Sequence, residues 1–208
     1  MFRNILRPDS PLMITLTQIT DVIFLSLFWI LGCFPVVTAG ASFAALYDSV
    51  YHGFRRGERN SWQRFFHTFR GSWKAGLLPT VVFLLLTGGL VAGVIALWNG
   101  AVYGTVSWGV FAGVTFLAVT ALGILSVLFP MLSRFENSFG GLMKNTLLLA
   151  LANLPRTVAL GILNAGAALL CAWYVYPLFF LPALGALIST VLVEPMFRPY
   201  LPKEAEED

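Results

Sequence analysis

The sequence predicts an all-α protein, a polytopic membrane helical bundle of six spans, and three observations lead there. Of its 208 residues, 58% are hydrophobic and 11% charged, where soluble domains carry about 25% charged residues. No Asp, Glu, Lys or Arg occurs at residues 75–133 or at 157–193. Each of these runs holds two helices of about 20 apolar residues, the length that crosses a bilayer. The cations concentrate between the runs: Arg55, Arg56, Arg59, Arg64, Arg70 and Lys74 are six of the 13 Lys and Arg residues. The chain therefore reads as one integral-membrane domain, residues 1–208. Its net charge of +3 sits beside spans, so it points to lipid headgroups and not to nucleic acid.

Taken in order, residues 1–11 form a tail with Arg3, Arg7 and Asp9, and Ser10-Pro11 has the form of an N-cap and first turn. The first span, about 12–34, contains Asp21 and is broken by Pro35. Its apolar run is too long for a secretory signal and lacks a small-residue cleavage site, so it is expected to be retained. Residues 36–54 carry Ala39, Gly40, Ala41, Ser42, Ala44 and Ala45, which permit close helix approach. This segment is expected to be a second span, with a re-entrant helix as the alternative. Residues 55–74 then read as an amphipathic helix lying in the membrane interface, around which the other segments are arranged. Trp62, Phe65, Phe66, Phe69 and Trp73 fall within about 60° either side of one direction, with Arg64, His67 and Arg70 opposite.

The third span, about 75–98 with Pro79 near its start, and the fourth, about 106–130, flank an uncharged turn at Asn99, Gly100 and Tyr103. Residues 131–156 form a second polar interlude with Arg134, Glu136, Lys144 and Arg156, amphipathic through Phe139, Leu142, Met143, Thr146 and Ala150. Two further spans follow, about 157–176 and from Pro182 to near Glu194. Pro195, Pro199 and Pro202 end the last one, and residues 199–208 form an acidic tail. The positive-inside rule places both charged interludes and the C-terminus in the cytoplasm. Six spans put Arg3 and Arg7 inside; five spans plus a re-entrant helix put them outside. A weak internal repeat runs through this order, since Phe34-Pro35 and Phe129-Pro130 end spans, Asn60-Ser61-Trp62 and Asn137-Ser138-Phe139 open amphipathic helices, and Pro79 and Pro155 open spans.

Chemistry-bearing constellations are sparse. Gly40-Ala41-Ser42-Phe43 has the outline of an intramembrane serine protease motif. The nearby His52 would lie ~15 Å along the same helix, out of reach. Tyr47-Asp48 lacks the second aspartate motif of an aspartyl protease. There is no phosphate-binding glycine loop and no metal-ligand spacing, so catalytic residues, metal and cofactor are all expected to be none. Cys33 and Cys171 sit in apolar surroundings, as buried free thiols do. Asp21 and Asp48 are the exception: in a hairpin about Pro35 they reach similar depth, where they form an intramembrane polar pair or find Arg7 or Arg55.

Three stretches carry a resemblance to a known family. Residues 31–47, LGCFPVVTAGASFAALY, are the most specific; Phe129-Pro130 with Ser133-Arg134-Phe135-Glu136-Asn137 and residues 142–155, and the opening Pro8-Asp9-Ser10-Pro11-Leu12, add to it. Together they resemble the YesL-like family of bacterial membrane proteins, long described as a domain of unknown function. Ala39 departs from the larger aliphatic residue expected there. The resemblance implies a small membrane protein of the bacterial plasma membrane, commonly encoded beside carbohydrate ABC importers and polysaccharide-degrading enzymes, and it implies no catalytic residues.

Three functions follow as expectations. The first is a non-enzymatic accessory subunit of an ABC-type carbohydrate or oligosaccharide importer, meeting the permease subunits through Ala39, Gly40, Ala44 and Ala45. Residues 136–155 have the length of a permease coupling loop but lack its Ala-Ala and Gly, so this chain is not expected to grip the ATPase. The second is an independent small transporter or channel using Asp21 and Asp48. The third is a regulator or scaffold reading a partner or anionic lipid through Trp62, Arg64, Phe65, Phe66, Phe69 and Arg70, with Arg134 and Lys144 as further cytoplasmic contacts.

Overall fold

A computed structural model describes residues 11–58, 60–134, 139–197 and 199. Arg3, Arg7, Arg59, Glu136 and all but the first residue of the acidic tail lie outside the described residues. Those described form seven α-helices and no strand: α1 (Pro11–Cys33), α2 (Ala39–Val50), α3 (Ser61–Val102), α4 (Trp108–Arg134), α5 (Phe139–Ala152), α6 (Leu154–Trp173) and α7 (Leu181–Phe197). Four of them, α1, α3, α4 and α6, are long and apolar enough to cross a membrane. Several apolar helices of spanning length make this a membrane protein. The other two expected spans fall short. The segment 36–54 holds a helix of 12 residues, roughly 18 Å long, and α7 has 17 residues.

The enclosed helix is α2. Ten of its twelve residues are buried, and α1, α3, α4 and α7 all pack on it. Tyr47 belongs to one apolar core with Val127, Met131, Leu160 and Val193. Ala45, Leu46 and Val50 belong to the other, with Val22, Leu25 and Phe65. Thus α2, and not residues 55–74, is what the chain is arranged around. Its entry explains the PVVTAG stretch. Pro35 stops α1, and the Thr38 hydroxyl is shared between the Gly32 carbonyl (2.6 Å) and the Pro35 carbonyl (2.8 Å) at the end of that helix. The Gly40 amide, one of the unpaired donors of the first turn of α2, donates to Thr80 Oγ1 of α3 at 3.0 Å. A side chain at Gly40 would meet Thr80, Phe129 and the Gly76 carbonyl.

The expected break between an interfacial helix and a third span is not there: α3 is one helix of 42 residues, roughly 63 Å long, about twice the hydrocarbon thickness. No breaker separates Lys74 from Ala75. Pro79 removes one hydrogen bond without ending the helix. In the second half of the apparent repeat the chain does turn, at Asn153, and Pro155 lies in the first turn of α6. Pro130 is likewise inside α4, whereas Pro35 follows α1. The repeated prolines therefore occupy different structural positions in the two halves.

Each of the first three helices runs antiparallel to the next. Trp29 meets Phe43, and a side chain at Gly32 would meet Ser42, so α1 and α2 are antiparallel. Thr68 meets Asp48 and Thr80 meets Gly40, so α2 and α3 are antiparallel as well. The far half of α3 pairs with α4 through Phe83–Phe129 and Trp98–Trp108. Gly104, at φ +74°, sits in the turn between them, a backbone state that suits glycine. The tightest crossing joins α4 to α6. A Cβ at Gly123 would run into the Thr157 carbonyl, and one at Gly161 into the Val119 carbonyl. Backbone meets backbone there, as in small-residue membrane crossings. Gly161→Ala is therefore expected to destabilise the protein by about 1–3 kcal/mol. Gly166→Ala, on the same helix with open space at its Cβ, is expected to cost much less. Thermal unfolding in detergent compares the two, and equal melting temperatures would contradict the crossing.

Candidate functional site

The polar chemistry of the described residues gathers at the C-terminal end of α2, where two neighbouring residues each hold a clamp. Asp48 is buried and spends its carboxylate on three donors. Oδ2 accepts from Arg64 Nε at 3.0 Å and Thr68 Oγ1 at 2.7 Å, both on α3. Oδ1 faces His52 Nδ1 at 3.1 Å, from a single π-helical turn (Tyr51–Arg55) that ends α2. His52 is buried as well, and Arg64 Nη2 lies 2.9 Å from its Nε2. A guanidinium has only donors, so that nitrogen carries the lone pair and Nδ1–H points at the Asp48 carboxylate and carbonyl. Glu58 adds an exposed contact to Arg64 Nη1 at 3.4 Å. Burial works to raise the Asp48 pKa. The hydrogen bonds from His52 and Thr68 and the Arg64 charge outweigh it and hold the carboxyl down at about 2.

Tyr47 starts the second clamp on the adjacent face. Its hydroxyl donates to Glu194 Oε1 of α7 at 3.0 Å, and the same oxygen takes Arg134 Nη2 of α4 at 2.7 Å. Both members of that ion pair are mostly buried, at 14% and 12% side-chain exposure. The Arg134 guanidinium also lies 3.8 Å from the centre of the Tyr51 ring, a close cation–π contact. Burial, then the Glu194 carboxylate, pushes the Tyr47 hydroxyl well above its usual range, so it stays a donor. The two clamps tie α2 to α3, α4 and α7.

The structure redistributes the residues that periodicity singled out. Asp21 and Asp48 do not form a pair: Asp21 accepts from Ser61 Oγ at 3.2 Å, while Asp48 has its own donors. Arg64 and Arg134, expected on exposed cytoplasmic surfaces, are the cations of the clamps. Phe65 is buried and Phe69 half-buried, leaving Trp62, Phe66, Trp73 and Arg70 exposed on α3 and Lys144 exposed on α5. Gly40, Ala44 and Ala45 are buried, with Ala39 half-buried, so this small-residue surface is occupied by the chain's own helices. Tyr51, Thr68 and Glu194 carry no site role in the sequence reading, and Tyr47 and His52 enter it only as parts of protease motifs that are discounted. A hairpin drawn about the 51–60 turn, as one was drawn about Pro35, sets Asp48 opposite Arg64 and would have found the first clamp. Glu194, 60 residues from Arg134, carried no local signal.

No three His, Cys, Asp or Glu side chains are grouped as metal ligands among the described residues. A separate open groove of about 490 Å³ lies between α3 and α4, lined by Leu85, Gly89, Leu90, Gly93, Leu117 and Ala121 among others. Its lining is apolar, and a side chain at Gly89 or Gly93 would meet nothing. A family model described as "Protein of unknown function, DUF624" matches residues 22–95, a stretch that includes Asp48, His52, Arg64 and Thr68 but not Arg134 or Glu194. No curated protein and no solved structure matches the chain.

The depressed Asp48 carboxyl has a pH signature. A folded-state pKa below the unfolded value stabilises the fold above the unfolded pKa, and that contribution is lost as pH falls through the folded pKa. Here the window runs from the ordinary 3.8 down to about 2. The drop corresponds to roughly 2 kcal/mol at neutral pH. Asp48→Asn is expected to be less stable than wild type by about that much at pH 7, with the gap closing as pH approaches 2. Unfolding across pH in one detergent reads this, and a gap that ignores pH would show that the carboxylate charge is not what holds α2 to α3.

Proposed function

We propose that the chain is a non-enzymatic accessory subunit of a bacterial plasma-membrane ABC importer for carbohydrates or oligosaccharides. It would lie against the permease subunits through the open groove between α3 and α4. The observation that carries the reading is the contrast between the two polar clamps and that groove. Asp48, Glu194, Arg64 and Arg134, the ionisable groups that meet on α2, are engaged in holding helices together. That favours a packing role over a transport path built on Asp21 and Asp48. The groove is apolar, and Gly89-x-x-x-Gly93 leaves room for the close approach of another membrane helix. The importer as partner comes from the YesL-like resemblance of residues 31–47 and 129–155, and the match at residues 22–95 to a family of unknown function is compatible with it.

A topology goes with this reading. Because α2 reverses the chain between them, α1 and α3 run parallel and begin on one side. The positive-inside rule places that side, with the Arg55 and Arg56 turn, in the cytoplasm. The Gly104 turn is then outside. In a background lacking Cys33 and Cys171, Glu58→Cys is expected to react with an impermeant maleimide only in inside-out vesicles, and Gly104→Cys only in right-side-out cells. Reaction of both from one side would exclude this arrangement.

The partner face has its own test. Gly89→Leu with Gly93→Leu fills the groove without touching the fold's interior, so the protein is expected to insert and melt as wild type. Recovery of importer permeases in a pull-down from native membranes should fall at least about tenfold, the loss of ~1.4 kcal/mol. Undiminished recovery, or solute flux by the purified chain alone in liposomes, would overturn the subunit reading.

A further inference from the structure

Folding sorts the first turns of α3 into two faces. Arg64 and Thr68 turn to Asp48, Phe65 enters the core and Phe69 half enters it. On the uncovered side, at about 100° per residue, Trp62, Phe66 and Trp73 lie within about 40° of one another. Arg70, His67 and Lys74 occupy the adjoining arc of about 60°. All six are exposed, so the mixed composition of residues 61–74 becomes an aromatic strip beside a cationic strip.

Depth is set independently. Lys74 is the last charged residue before the charge-free run 75–133, so it stands where the hydrocarbon begins. Arg70 is one turn away, ~6 Å along the axis on the same face. Leu77, Leu78 and Val81 continue that surface on the membrane side and are exposed. Neither Arg70 nor Lys74 makes an ion pair among the described residues, in contrast to the engaged Arg64. Two unpaired cations at phosphate depth, an indole beside them and aliphatic surface below match the successive zones of one phospholipid.

We infer that Arg70, Lys74 and Trp73 form a binding site for the headgroup of an anionic phospholipid, whose acyl chains run along Leu77, Leu78 and Val81. Arg70 can take the phosphate in a two-pronged grip, and Lys74 adds a point charge. Trp73 offers its ring N–H at the glycerol level, where tryptophan concentrates. A free phosphate ion uses only the cations; a lipid uses the whole strip.

The test uses the full chain in nanodiscs of phosphatidylcholine and phosphatidylglycerol, with lipid retained after extraction measured by native mass spectrometry. Wild type should retain phosphatidylglycerol preferentially. Lys74→Gln should lower that preference about fivefold, and Arg70→Gln with Lys74→Gln about 25-fold, taking each cation at about 1 kcal/mol. Arg70→Lys with Lys74→Arg keeps both charges and should retain most of the preference. Arg156→Gln, which removes an exposed cation elsewhere, should leave it unchanged, as should millimolar inorganic phosphate. Equal retention of both lipids by wild type, an equal loss in Arg156→Gln, or full displacement by phosphate would each overturn the assignment.

Discussion

A helix enclosed on every side must be narrow, and it must settle its polar groups against its neighbours. Both constraints fall on α2. Gly40, Ala41, Ala44 and Ala45 let α1, α3 and α4 come close. Tyr47 and Asp48 then carry polar groups into the interior, where an unpaired charge would be severely penalised. The structure meets that demand with partners from three other helices. Helices of Leu and Phe pack on one another in many registers. A carboxylate that needs Arg64, Thr68 and His52 together accepts far fewer, so this ionic group narrows the register as well as stabilising it.

How much of this was legible in the sequence depends on the range of the signal. Charge-free runs mark apolar helices of spanning length, and α4 and α6 lie where those runs put them, whereas α3 starts before its run, at Ser61, and α7 falls short. The Gly and Ala stripe of α2 did mark close packing, but a stripe carries no address, and its partners are the chain's own helices. Proline was an uneven guide. Pro35 follows α1 and Pro155 opens α6 as expected, but Pro130 and Pro195, expected to end spans, lie inside α4 and α7. Sterics at one residue cannot say whether neighbouring helices will hold the turn straight. Periodicity placed Arg64 on a polar face correctly in angle, yet that face meets Asp48. Pairs such as Arg134 with Glu194 leave no trace at short range.

The acids and bases around α2 are spent on one another. Among the surfaces left uncovered are the groove at Gly89 and Gly93 and the strip at Trp62, Arg70 and Lys74. The first is apolar and at membrane depth, and the second is cationic at its edge. The interior is thus held by two polar clamps, while these two outer surfaces differ in chemistry.

The unbroken α3 has a mechanical consequence. Its near half is seated against α1 and α2, its far half against α4. A hydrogen-bonded helix resists twisting about its own axis, and α3 lacks only the rung that Pro79 removes. It therefore joins the end of the fold that holds α1 and α2 to the Gly104 turn, roughly 40 Å beyond Lys74, by one continuous backbone, with α4 packed along the far half.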